Sequence, residues 1–159
     1  MKRLAIVIVL AAATGVQFGH AQPAGRVTPT LEPIAETKLL MAGLAHANFK
    51  GLERILSKQP GEDQAWTFAR GQALLIAETA NLLLLRPPRN PGESAWMERA
   101  MGLRSQAVQL AHAISKKDVE QARGQLEQLA VSCNRCHETF KVPVQIEAFA
   151  AAPPPDLPK

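Results

Sequence analysis

The chain has 159 residues, 47% hydrophobic and 20% charged, with two cysteines, no tyrosine and 4% aromatics. At roughly 100–200 residues per domain this makes one domain with a core of its own. The composition argues against wholesale disorder, a multi-bridge disulfide scaffold and a strand-rich sandwich or barrel. The formal charge of +4 comes without a Lys/Arg cluster, which argues against nucleic acid as a partner.

The chain opens as a targeting signal. Met1, Lys2 and Arg3 give a basic start, Leu4 to Ala13 is an unbroken apolar run, and Gly19, His20 and Ala21 form a small-x-small cleavage site. Residues 1–21 are expected to be a signal peptide, so the mature chain begins near Gln22. The apolar run is shorter than the about 20 residues needed to cross a bilayer, so no membrane anchor is expected after cleavage. Without Lys2 and Arg3 the balance is 16 basic against 14 acidic residues. Export to a bacterial periplasm is the expected localisation.

Residues 22–30 read as an irregular lead-in. From Ile34 a helical stripe runs through Ile34, Met41, Ala45, Asn48, Leu52 and Ile55, and Pro60-Gly61 closes this first helix. The second helix carries Ala65, Ala69, Ala73, Ile76, Ala80 and Leu83, and Arg86-Pro87-Pro88-Arg89-Asn90-Pro91-Gly92 breaks the chain after it. Ser94 is the expected N-cap of a third helix, whose stripe is Trp96, Ala100, Leu103, Ala107, Leu110 and Ile114. Asp118 and Gln121 form a capping-box signature for the fourth, with Val119, Ala122, Leu126, Leu129, Cys133, Cys136 and Phe140 on one face. Pro143 ends or kinks that helix, and residues 149–159 read as a proline-rich disordered tail. The expected fold is all-α, an antiparallel up-and-down four-helix bundle over residues 31–148, with the start of the first helix facing the end of the fourth.

Chemistry is concentrated in Cys133-Asn134-Arg135-Cys136-His137. This is CxxCH, the attachment signature of c-type haem: two thiols add to the two vinyl groups of one porphyrin, and the adjacent imidazole ligates the iron. One covalent haem c is therefore the expected cofactor, with Cys133 and Cys136 as thioether residues and His137 as proximal ligand. Three other readings stay open. A thioredoxin-like redox pair belongs at a helix N-terminus in a βαβ pattern, whereas this pair lies near a helix end. A structural zinc site needs a fourth ligand from His46, His112 or a carboxylate. A disulfide would close a very small loop and leave His137 without a role.

The segment Asp118 to Lys141, an Asp-started last helix leading into Cys133-Asn134-Arg135-Cys136-His137 and then Phe140-Lys141, resembles cytochrome c′ and its methionine-ligated low-spin relatives. The resemblance covers about residues 31–143. It implies the haem bundle, places Trp96 like a tryptophan that packs near the haem, and implies a homodimer by analogy. The family usually has arginine where this chain has Lys141.

The sixth iron position decides the function. Haem near the end of the fourth helix faces the first turns of the first, where Met41 is the leading distal ligand. The related proteins commonly have a basic residue four positions before that site; Lys38 and Met41 are three apart, and Leu40 or Leu44 is the alternative occupant of the pocket. His46, His112, Arg86, Arg89 and Arg123 read as surface groups, and Met97 and Met101 as packing residues. With methionine ligation the expected function is one-electron transfer between redox partner proteins. With an apolar, vacant distal face it is binding of NO or CO. No inward acid–base group opposite His137 is evident, so an enzyme is the least favoured class.

Overall fold

A computed structural model describes residues 30–88 and 92–149. The signal segment, most of the lead-in, Arg89 and the tail beyond Phe149 lie outside the described residues. Among the described residues there is no strand, and no helix is long and apolar enough to cross a membrane.

Among the described residues four long helices make a packed bundle. The first is composite: α1 (Thr37–Leu40), a π-helical stretch (Met41–His46) and α2 (Ala47–Leu56) run on without a break. Then come α3 (Asp63–Leu84), α4 (Glu93–Ser115) and α5 (Val119–Thr139). The principal contacts are α3 with α4 and α4 with α5, while α2 packs on α3 and also reaches α5.

The core follows the apolar stripes closely in α3, α4 and α5. Ala69, Ala73, Ile76, Ala80 and Leu83 are buried on α3, with Trp66 and Ala77 beside them. Ala100, Leu103, Ala107, Leu110 and Ile114 are buried on α4, and Ala122, Leu126 and Leu129 on α5. Burying each large aliphatic side chain contributes about 1.5–3 kcal/mol. The alanines leave no bulk between helix axes. The closest approach is at Gly51: a Cβ there would stand 2.0 Å from Nε2 of the buried Gln72, so a larger residue requires the Gln72 side chain to move.

The first helix departs from the expected phase. Ile34 is 90% exposed and precedes the helix, which begins at Thr37 and ends at Leu56, before Pro60-Gly61. The buried positions are Leu40, Ala45, Phe49, Gly51, Leu52 and Leu56. Met41 and Ile55 are half-buried at the edge of that face, and the Asn48 amide donates to the Leu44 carbonyl at 2.7 Å. The π stretch explains the shift. Leu40 and Ala45 are five residues apart, so a wider turn is what keeps both inward. A fixed period of 3.6 cannot anticipate that extra residue.

Two helix ends also differ in detail. The N-cap of α4 is Gly92, not Ser94, and Ser94 lies inside the first turn. Gly92 has φ 127°, and its Cα faces the Phe140 ring, with 3.4 Å left for a Cβ. By contrast Asp118 caps α5 as expected, accepting the Gln121 N–H at 2.9 Å. Arg123 of α5 is no mere solvated charge: besides pairing with Glu120, it donates to the Leu56 and Ser57 carbonyls at 2.7 and 3.1 Å and so caps α2.

Candidate functional site

Cys133, Cys136 and His137 occupy the last two turns of α5. Spacings of three and four bring them to one side of a helix, which is the requirement for one planar group to meet all three. Both cysteines are free and half-buried. Burial pushes the Cys133 thiol up to about 12, the neighbouring Cys136 adding to the rise and the backbone hydrogen bond opposing it. Burial also raises Cys136, against the opposing charge of Arg99. The two sulfurs are therefore kept as neutral thiols. A redox CxxC pair requires the reverse, a depressed first cysteine.

His137 is half-buried, and its Nδ1 lies 2.8 Å from the Val144 carbonyl. A carbonyl can only accept, so Nδ1 carries the proton, and in the neutral ring the lone pair sits on Nε2. An imidazole whose far nitrogen is tied to a backbone carbonyl is the usual arrangement of a metal-ligating histidine. The donor set thus fits a c-type haem: two neutral thiols for thioether links and an oriented Nε2 for iron.

The carbonyl belongs to a returning segment. Helix α5 ends in a Schellman motif, with Lys141 N–H to the Glu138 carbonyl, Val142 N–H to the His137 carbonyl at 2.8 Å, and Lys141 in the left-handed region at φ 54°. The chain then doubles back along α5. The Asn134 amide donates to the Ile146 carbonyl at 2.9 Å and accepts the Ile146 N–H at 2.8 Å. The Phe149 N–H reaches the Glu53 carboxylate at 2.6 Å, and Ile146, Ala148 and Phe149 pack on the core. Phe149 is accordingly docked on the bundle rather than the first residue of a tail.

Trp96 lies beside this end of α5. Its indole N–H donates to the Leu83 carbonyl at 2.7 Å, and its ring meets Phe140 edge to face, centroids 5.1 Å apart. The structure thereby brings Trp96, Phe140 and the CxxCH turn together. Met41 is half-buried against the core on the π stretch, whose main contact outside its own helix is with α3. Arg86 ties that region to the same end: its guanidinium donates to the Leu82 carbonyl at 2.6 Å and to the Ala35 carbonyl at 3.3 Å. It is a structural anchor, not a solvated loop charge.

His46 and His112 are exposed, as expected, and among the described residues no three His, Cys, Asp or Glu side chains converge to hold a metal ion. A zinc site completed by either histidine gains no support. Sequence reasoning missed Asn134, Val144 and Arg99 as parts of the site. Nothing periodic marks them; Pro143, three residues past the α5 cap, was the one available hint that the chain turns there.

Compared with known proteins, the chain matches no family model, no curated protein and no solved structure.

Proposed function

We propose that the chain is an exported c-type cytochrome of the cytochrome c′ kind, an antiparallel four-helix bundle carrying one haem c and serving as a periplasmic one-electron carrier. The observation that carries this reading is the CxxCH turn on the last helix, with its imidazole oriented through Nδ1 by the Val144 carbonyl. An antiparallel order is supported by Arg99 with Thr139 and Gln106 with Gln125 between α4 and α5, and by Arg123 with Leu56 between α5 and α2. Export is supported by the basic start and apolar run of residues 1–21.

When bound, the haem supplies an iron that exchanges one electron. The chain supplies the rest. Cys133 and Cys136 provide the sulfurs of the two thioether bonds, and His137 presents a lone pair in a fixed tautomer. Trp96 and Phe140, locked edge to face, bring apolar bulk to that end of α5 and limit water there. Met41 is assigned as the distal ligand, its thioether favouring the ferrous state. The partners of such a carrier would be redox proteins that exchange electrons with the bound haem.

The absorption spectrum of protein matured in a haem-attaching host is the test. A low-spin spectrum with a methionine-to-iron charge-transfer band is expected, and Met41→Ala should abolish that band. Haem that leaves the wild-type protein in acidified organic solvent refutes covalent attachment. A second reading, binding of NO or CO, is favoured by the buried Leu40 and half-buried Leu44 that flank Met41 and offer an apolar distal surface. A high-spin spectrum with ready CO binding to wild type selects it.

A further inference from the structure

We propose that Asn134 is a positioning residue for His137: it locks the returning segment Val142–Phe149 so that the Val144 carbonyl holds the Nδ1 proton, and through that bond it sets the reduction potential of the iron. This rests on the haem reading above and adds a device that CxxCH itself does not require. Haem attachment constrains the two cysteines and the histidine, leaving the two residues between the cysteines free. This chain uses one of them.

The geometry is specific. Asn134 meets both the N–H and the C=O of a single residue, Ile146, at 2.8 and 2.9 Å. A primary amide is the side chain that can do so, because it presents donor and acceptor side by side like a peptide group; Asp has no donor and Leu has neither. The two bonds register the segment as one rung of a ladder does. With Ile146 fixed opposite Asn134, Val144 falls opposite His137, one helical turn further on, and its carbonyl meets Nδ1 at 2.8 Å. The segment is held beyond this rung too, by the Val142 N–H on the His137 carbonyl and by Phe149 on Glu53. The Val144 carbonyl is therefore a positioned acceptor, set by bonds on both sides of it although the residue itself is exposed.

A fixed acceptor on Nδ1 moves electron density toward Nε2 and makes it a stronger donor, which favours ferric over ferrous iron. Releasing the segment weakens that bond and should move the potential upward.

The test uses the haem-bearing full chain with Asn134→Leu and, as an independent route to the same loss, Ile146→Pro, which removes the N–H that Asn134 accepts. Covalent haem is first verified by mass. Midpoint potential and amide hydrogen exchange over Val142–Phe149 are then measured. Both variants are expected to raise the potential and to speed exchange of the segment's amides at least tenfold, with thioether attachment intact. Faster exchange with an unmoved potential overturns the proposal, because the segment then does not act on the iron; unchanged exchange in Asn134→Leu overturns it as well, because the rung then does not hold the segment. A wild-type chain matured without attached haem overturns the cytochrome reading itself, a failure the mass measurement separates from the other two. Should Asn134→Leu fail to accumulate, Ile146→Pro gives the same two readouts.

Discussion

The two ends of the bundle are built by different means. Where α4 turns into α5, the turn itself is closed by neighbours in sequence: Asp118 accepts from Gln121, and the Lys116 and Lys117 N–H groups return to the Ala113 and Ile114 carbonyls, while Arg123 and Lys117 reach out as charged side chains to Leu56, Ser57 and Asp63. Where α5 finishes, the contacts come from afar. Trp96 bonds to Leu83, Phe140 packs on Trp96, Ile146 pairs with Asn134, and Phe149 reaches Glu53 across 96 positions. Local caps suit a turn that only has to reverse the chain. Long-range bonds suit an end that must hold two sulfurs and an imidazole in fixed relation.

The sharpest way to separate the ends is by pH, because the buried thiols lie at only one of them. Cys133 is raised from 9.0 to about 12 in the folded protein, with Cys136 raised as well. Between those values the native state keeps a proton that the unfolded chain has released, so stability falls as pH rises. In protein carrying free thiols, unfolding free energy should drop from about pH 9 toward pH 12, by up to about 4 kcal/mol if Cys133 acts alone. Thioether formation removes the ionisable groups, so the haem-bearing protein should lack this alkaline loss. Urea titrations of both forms at pH 8 and pH 10.5 check it; equal slopes against pH would place the thiols in an environment other than the one described.

Trp96→Phe probes the same end by a smaller amount. Phenylalanine keeps an aromatic ring against Phe140 but loses the bond to the Leu83 carbonyl, costing about 1.5 kcal/mol. A shift in the haem Soret band should accompany the loss if Trp96 packs near the porphyrin. At the opposite end Asp118→Ala removes the α5 cap and should cost about 1 kcal/mol while leaving that spectrum unchanged. A spectral change in Asp118→Ala would show that the two ends are coupled through α5.

The same contrast explains what could be read from the sequence. The stripes of α3, α4 and α5 were legible because each helix keeps one period throughout, and every member of the α4 stripe after Trp96 is buried. The Asp118 cap was legible because donor and acceptor lie three residues apart. The grouping of Cys133, Cys136 and His137 was legible because residues three and four apart share one side of a helix, as these do on α5. The first helix was not, since a π turn between Leu40 and Ala45 shifts the phase midway. Nor was the cap of α4: Ser94 is the better capping residue by type, but the chain enters the helix at φ 127°, a conformation that glycine adopts readily and other residues rarely do. The returning segment has no period at all. Its bonds to Asn134 and Glu53 join residues that only the finished bundle brings together.

The smallest predicted effect turns on a single residue at the locally built end. Lys117 is left-handed at φ 57°, where a side chain costs about 1 kcal/mol relative to glycine. Its ammonium also meets the Asp63 carboxylate at 2.6 Å, with half of the Lys117 side chain and 88% of the Asp63 side chain exposed. An ion pair so open to water is worth no more than about 0.5 kcal/mol. The backbone effect therefore wins, and Lys117→Gly should stabilise the protein by about 0.5 kcal/mol at low salt. In about 1 M salt, where screening acts over about 3 Å, the wild type gains little from the pair and the advantage of glycine should approach about 1 kcal/mol. Denaturant midpoints of both proteins at the two salt concentrations decide the matter. A destabilised Lys117→Gly would mean that the link to Asp63 holds the α4–α5 turn against α3, as Arg123 ties the start of α5 to the end of α2.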